Sequence, residues 1–132
     1  MEELKIPEAL CAYLNASGVA EFVPEVWREG AASVRLTGGV GAQSIYVDGS
    51  RLMSVPFEVR LRCPGRAIAD RLTAVEIFRR LGSYVRTTPM PIGNGQFAEI
   101  RETGGASKSA VYENGEEEYR CGYVMRFFRE AE

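Results

Sequence analysis

The sequence contains no histidine. That one absence removes most nucleophile–histidine arrangements and most zinc sites. Cysteine is scarce and shows no pairing pattern. Cys11, Cys63 and Cys121 lie far apart, and no C-x-x-C is present. Such usage fits buried or free thiols in a reducing compartment, not a disulfide framework. A cysteine-only zinc site needs closely spaced pairs, which are missing. The chain does not open on a basic start followed by an apolar run and a small-residue cleavage site. No apolar run approaches the ~20 residues of a membrane span. The expectation is a cytoplasmic protein with no membrane partner. A strong basic balance is lacking too. The formal net charge is −2, where a dedicated nucleic-acid binder is strongly positive. No nucleic-acid sequence readout is expected.

What is present is an ordinary globular composition: 132 residues, 45% hydrophobic and 26% charged. A chain of this length buries roughly two-thirds of its unfolded surface, enough for one core without staples. One domain over residues 1–132 is therefore expected. There is no low-complexity segment and no internal repeat at a solenoid period.

The clearest patterning runs from Arg51 to Leu81. Met53, Val55, Phe57, Val59, Leu61 and Cys63 alternate with Ser54, Pro56, Glu58, Arg60 and Arg62. A period of two predicts a half-buried strand. Pro64-Gly65 breaks the ladder. From Ala67 to Tyr84 the period becomes helical, with Ile68, Leu72, Val75, Phe78 and Leu81 on one stripe. A second clean alternation closes the chain. Between Glu117 and Arg129, Tyr119, Cys121, Tyr123, Met125 and Phe127 face inward, while Arg120, Val124 and Arg126 face outward.

The remaining elements are shorter. Pro7 and Glu8 suit the first turn of an N-terminal helix that ends near Gly18, a plausible C′ residue. Phe22 to Trp27, interrupted by Pro24, reads as an edge strand or irregular segment. Ser33–Thr37 is a strand, Gly38, Gly39 and Gly41 make a loop, and Ser44–Val47 resumes as a strand. Asp48-Gly49 and Asn114-Gly115 are type I′ hairpin signals. Thr87 to Gly95, rich in proline and glycine, reads as a loop. Phe97–Arg101 is a strand whose inward face the sequence leaves open, and Ser107–Glu113 is another. The sum is an α+β fold: an antiparallel sheet built from β-hairpins, with two helices packed on one face.

No catalytic, cofactor-binding or metal-ligating set emerges. Gly39-Val40-Gly41 lacks the third glycine and the helix of a dinucleotide fingerprint, and no Lys-Ser or Lys-Thr completes a P-loop. A loop is the better reading. Glu113, Glu116, Glu117 and Glu118 surround the Asn114-Gly115 turn and could hold a hard cation. They read better as a solvated hairpin tip that blunts an edge. Arg60 and Arg62 share the outer sheet face with Glu58, and Arg120 and Arg126 can join them. A face of mixed charge is either plain solvent surface or a subunit contact. Glu76 with Arg79 and Arg80 reads as ordinary helix-surface pairing. Trp27 lies outside any clean pattern and could be an interface anchor.

With both hairpins placed, the chain resembles the tail terminators, small minor capsid or tail-completion proteins of tailed phages and prophages. The resemblance rests on the helix Pro7 to Ala16, the strand Arg51 to Cys63 entering the helix Ala67 to Tyr84, and the closing hairpin. Its most suggestive part is Tyr112-Glu113-Asn114-Gly115-Glu116-Glu117-Glu118-Tyr119, continuing to Met125-Arg126-Phe127-Phe128-Arg129. Members commonly end in such a charged turn, tyrosine and aromatic-basic strand. The resemblance implies an α+β protein without enzymatic activity or cofactor. It implies a six-fold homo-oligomeric ring that ends the tail tube and meets the head connector. Such a protein resides in the host cytoplasm during assembly and at the virion head–tail junction afterwards. Candidate contacts, chosen for exposure, are Asp48, Gly49 and Arg51, the Gly38 to Gln43 loop, the outer-face Arg60 and Arg62, the tip residues Glu116, Glu117 and Glu118, and Trp27. The competing expectations are a small-molecule binding protein or small enzyme with a pocket between sheet and helix, or a binding module using an edge strand.

Overall fold

The computed structural model describes residues 5–24, 32–63, 68–93 and 95–130. Trp27, Arg66 and the side chains of Cys63, Ile68, Arg71 and Leu72 lie outside the described set. Helix α1 spans Ile6–Asn15, with Pro7 in its first turn. Strands β1 (Phe22–Pro24), β2 (Ala32–Leu36), β3 (Gly41–Ile45) and β4 (Arg51–Cys63) follow. Helix α2 (Ile68–Thr87) leads to β5 (Met90–Gly93), β6 (Gln96–Glu102), β7 (Ser107–Val111) and β8 (Glu117–Arg129). The fold is α+β, with an 8-stranded, mostly antiparallel sheet in the order β1-β2-β4-β8-β6-β5. β3 also pairs with β4, and β7 with β8.

The two cleanly alternating stretches are the two 13-residue strands, and they pair with each other along their whole length. Arg51 lies opposite Arg129, Phe57 opposite Tyr123, and Cys63 opposite Glu117. Met53, Val55, Phe57, Val59 and Leu61 join Tyr119, Cys121, Tyr123, Met125 and Phe127 in one buried cluster. Leu10 and Leu14 of α1, and Ala74, Phe78, Leu81 and Val85 of α2, belong to the same cluster. Tyr13 and Tyr84 join the helices, their ring centroids 5.1 Å apart.

Several expectations need correction. Val75 is 54% exposed, and Ala74 takes its place in the α2 stripe. Gly18 does adopt positive φ, but one residue beyond C′, because Ala16 is the C-cap. Gly41 belongs to β3 and not to the loop before it. The Thr87 to Gly95 segment contains a strand, β5. Met90 anchors it in the core, and Pro91 is tolerated because β5 is an edge strand. β1 runs parallel to β2, so the sheet is not purely antiparallel. In β6, Ala98 and Ile100 turn inward while Phe97 is exposed.

Neither tight turn is type I′. Gly49 N–H donates to Tyr46 O and Tyr46 N–H to Ser50 O, and the same pattern joins Gly115, Tyr112 and Glu116. Each is a three-residue loop closed by a glycine in the left-handed region, φ 86° at Gly49 and 87° at Gly115. Pro56 sits in a central strand without cost. Its carbonyl accepts from Thr37 N–H at the point where β4 changes partner from β3 to β2. No ladder bond needs the missing N–H there.

The chain also contains a repeat too long for a solenoid period. Shifting residue numbers by 66 turns Phe57 into Tyr123 and superimposes the registers of the two halves. Gly41↔Ser54, Ala42↔Met53, Ser44↔Leu52 and Ile45↔Arg51 in β3–β4 become Ser107↔Arg120, Lys108↔Tyr119, Ala110↔Glu118 and Val111↔Glu117 in β7–β8. Even the bulge recurs, at Gln43 and at Ser109. Ser33↔Arg60 in β2–β4 becomes Glu99↔Arg126 in β6–β8. The bond from Thr37 N–H to Pro56 O becomes Thr103 N–H to Gly122 O. Thr-Gly-Gly at 37–39 and 103–105, Tyr46 and Tyr112, and Arg60 and Arg126 are identical across the halves. A pseudo-two-fold axis passes through the Phe57–Tyr123 pair. The correspondence ends at the outer strands, where β1 is parallel to β2 and β5 antiparallel to β6.

Cys11 and Cys121 are buried free thiols. Burial, with Glu8 nearby, pushes the Cys11 thiol up to about 11, and burial also raises Cys121. Both are expected to resist iodoacetamide at pH 8 in the native state and to react at the unfolding rate, measured by mass spectrometry.

Candidate functional site

The outer face of the central strand pair carries the charge network that the alternation of β4 and β8 predicts. Its centre is Glu58, which is only 6% exposed although it faces away from the core. Arg35 reaches its carboxylate at 2.9 Å, Arg60 at 3.8 Å and Arg120 at 3.9 Å. Three guanidinium groups offset its buried charge, although Glu58 Oε1 itself accepts no hydrogen bond.

The second centre is Glu118. Arg60 lies 2.9 Å from Oε1 and also donates to Oε2, Ser109 Oγ donates at 2.7 Å, and Tyr112 OH donates at 3.2 Å. Burial alone would raise this carboxyl. The hydrogen bonds from Ser109 and Arg60, with the Arg60 charge and the Tyr112 hydroxyl, bring it below the usual glutamate range. Arg62 binds Glu116 at 2.5 Å and lies 3.8 Å over the Tyr112 ring. Glu117 points to the other face, where Tyr119 OH donates to it at 2.8 Å and Lys108 approaches to 3.3 Å.

The acidic hairpin is therefore not a solvated tip throughout. Glu117 and Glu118 are buried, Glu116 is half-buried, and Glu113 alone of the four is exposed. The four do not converge, because neighbouring strand residues point to opposite faces. Among the described residues, no group of three potential metal ligands is brought together.

The structure joins Arg60 and Arg62 with Glu116 and Glu118 in one network. It sets Asp48, Gly49 and Arg51 apart, at the opposite end of the strand pair. There, Ser50 N–H and Oγ both donate to Asp48, holding its carboxyl below the ordinary range. The same end exposes Ile45, Tyr46, Val47 and Phe128. These apolar residues were not singled out from the sequence. The signal available was their position at a turn, where apolar side chains have nothing to pack on.

The α2–β6 side carries an open groove of about 540 Å³ lined by Val85, Arg86, Glu99, Ile100, Arg101 and Glu102. No helix among the described residues is long and apolar enough to cross a membrane. No protein-family model matches the chain, and no curated protein matches it.

Proposed function

We propose that this chain is a non-enzymatic structural protein of a phage or prophage particle. In this reading it assembles head-to-tail into a six-membered ring that ends the tail tube and joins it to the head connector. Both helices cover one face of the sheet, leaving the charged face and the two hairpin turns for neighbours. The observation that carries the reading is the pair of dissimilar ends. An apolar turn with Ile45, Tyr46 and Val47 lies at one end and an acidic turn with Glu113 and Glu116 at the other. A subunit with two different end surfaces suits a heterologous contact, which closes into a ring when the rotation permits.

Light scattering over a concentration series, with negative-stain images, tests this. Closed rings of about six subunits are the expected result. Arg60→Glu with Arg62→Glu is expected to weaken ring formation, with circular dichroism as the folding control. Unchanged assembly removes that face from the contact. A second reading, a small-molecule binding protein, draws on the α2–β6 groove, whose Arg86 and Arg101 stand beside Glu99 and Glu102. Ligand-induced thermal shifts in a protein that never assembles would favour it.

A further inference from the structure

The pseudo-two-fold axis gives the residues of β2, β3 and β4 counterparts in β6, β7 and β8, and one polar cluster of four keeps its three donors there but not its acid. In the second hairpin, Glu118 accepts from Arg60, Ser109 and Tyr112. The shift of 66 maps Arg60 onto Arg126, Ser109 onto Gln43 and Tyr112 onto Tyr46. All three counterparts are hydrogen-bond donors. Glu118 itself maps onto Leu52. The first hairpin thus keeps the donors of a carboxylate site and lacks the carboxylate.

The side chains show the consequence. Arg126, unlike Arg60, makes no ion pair among the described residues, although the Nε of each is buried without a hydrogen-bond partner. Glu99, directly opposite on β6, is turned to Arg101 at 2.5 Å. Phe128 packs on Tyr46, with centroids 6.1 Å apart, where Arg62 packs on Tyr112 in the other half. Beside Ser54, which lies opposite Arg126, runs a groove of about 360 Å³ lined by Gly39, Gly41, Ala42, Gln43, Ser54 and Pro56. Two of those positions hold long cationic side chains in the other half: Ser54 corresponds to Arg120 and Ala42 to Lys108.

A free acid stands at the opposite end. Glu116 pairs with Arg62, Glu117 with Lys108 and Glu118 with Arg60. Glu113, exposed at the turn, has no ion pair among the described residues. It cannot reach Arg126 of its own chain. The Leu52–Phe128 and Arg62–Glu118 pairs lie ten residues apart along the strands, about 33 Å at the rise of a β-strand.

We propose that Arg126, Tyr46 and Gln43 form a carboxylate-binding site, and that its ligand is Glu113 of a second copy of this chain. The inference rests on the self-assembly reading above and names its contact. One hairpin of each copy supplies the donors and the other supplies the acid, with Ile45 and Val47 as an apolar rim. A guanidinium–carboxylate pair with two further donors is the strong, directional form of such a contact. Because donor and acid sit at opposite ends, the contact is head-to-tail.

Sedimentation velocity on the full-length chain tests it. Arg126→Glu and Glu113→Arg are each expected to weaken assembly at least about tenfold in apparent Kd, and the double variant to restore it. Leu52→Glu supplies the carboxylate from within the chain, as Glu118 does in the other half. It is expected to abolish assembly while leaving the melting temperature unchanged or raised, a combination that a folding defect does not produce. Wild-type assembly that Arg126→Glu and Leu52→Glu both leave intact overturns the site and leaves the ring reading standing. A wild-type protein that is monomeric at every concentration overturns both. A monomer whose Arg126 guanidinium resonances respond to glutarate overturns the second-copy ligand in favour of a free carboxylate.

Discussion

Phe57→Ala is expected to destabilise the protein by about 3–5 kcal/mol, the cost of removing a fully buried aromatic ring from a packed core. Phe57 is 1% exposed and stacks on Tyr123 with centroids 5.3 Å apart and planes at 17°. It lies on the pseudo-two-fold axis, in the longest strand pair of the sheet, so neither half can relax into the gap without the other. Phe57→Leu keeps much of the volume and is expected to cost less than about 2 kcal/mol. Tyr123→Phe makes a contrasting case. The Tyr123 hydroxyl is buried with no well-formed hydrogen bond, only the weakly polar Cys121 thiol beside it, and burial, with that thiol, drives its acidity far down. Deleting that oxygen relieves an unmatched desolvation and is expected to be neutral or to stabilise by about 1 kcal/mol. Urea melts of the three variants check the set. A large loss for Tyr123→Phe would show that the hydroxyl has a partner.

Glu118→Leu, which copies the counterpart residue Leu52, is expected to cost about 2–3 kcal/mol at neutral pH. It removes the acceptor shared by Arg60, Ser109 and Tyr112, and charge-assisted bonds to a buried carboxylate contribute on that scale. The full penalty of a broken buried pair does not apply, because the Arg60 side chain is 33% exposed and regains water. The effect depends on pH with a definite sign. The folded carboxyl titrates below the ordinary glutamate value of 4.5. Between those two values the unfolded chain binds more protons than the folded one, so stability falls on acidification. The Glu118 contribution is complete above pH 4.5 and is lost as pH drops through the lower folded value. The stability gap between wild type and variant is therefore expected to shrink from pH 7 to pH 3 in denaturant melts. A gap that stays constant would show that the carboxylate charge is not what stabilises the cluster.

Much of the architecture was legible in local patterning. The two long strands show a period of two without a miss, and α2 shows a helical period, because burial on one face leaves its mark residue by residue. The inward set of β4 and β8 follows directly from that alternation. The turns were located correctly by Asp48-Gly49 and Asn114-Gly115, although not their type, since a left-handed glycine serves both the two-residue and three-residue loops. β5 escaped because Pro91 and Gly93 argue for a loop. Only a neighbour on one side makes Pro91 acceptable.

The functional surface was less legible, for a different reason. Glu58 and Glu118 occupy outward positions, where alternation predicts exposure, and both are buried. Their burial comes largely from arginines far away in sequence, Arg35 and Arg120 at Glu58 and Arg60 at Glu118. Side-chain charge is written in the sequence, but pairing between distant charges is not. The repeat had the same fate. Thr-Gly-Gly and Tyr-x-Asx-Gly at a shift of 66 are too sparse to announce a duplication. The register of four strand pairs, bulges included, makes it plain. Strand faces, helix faces and turns were thus decided within windows of a dozen residues, because period and local backbone preference act at that range. The pairing of β4 with β8, the burial of Glu58 and Glu118, and the counterpart relation between Arg60 and Arg126 came only from tertiary structure, because each depends on contacts between segments distant in the chain.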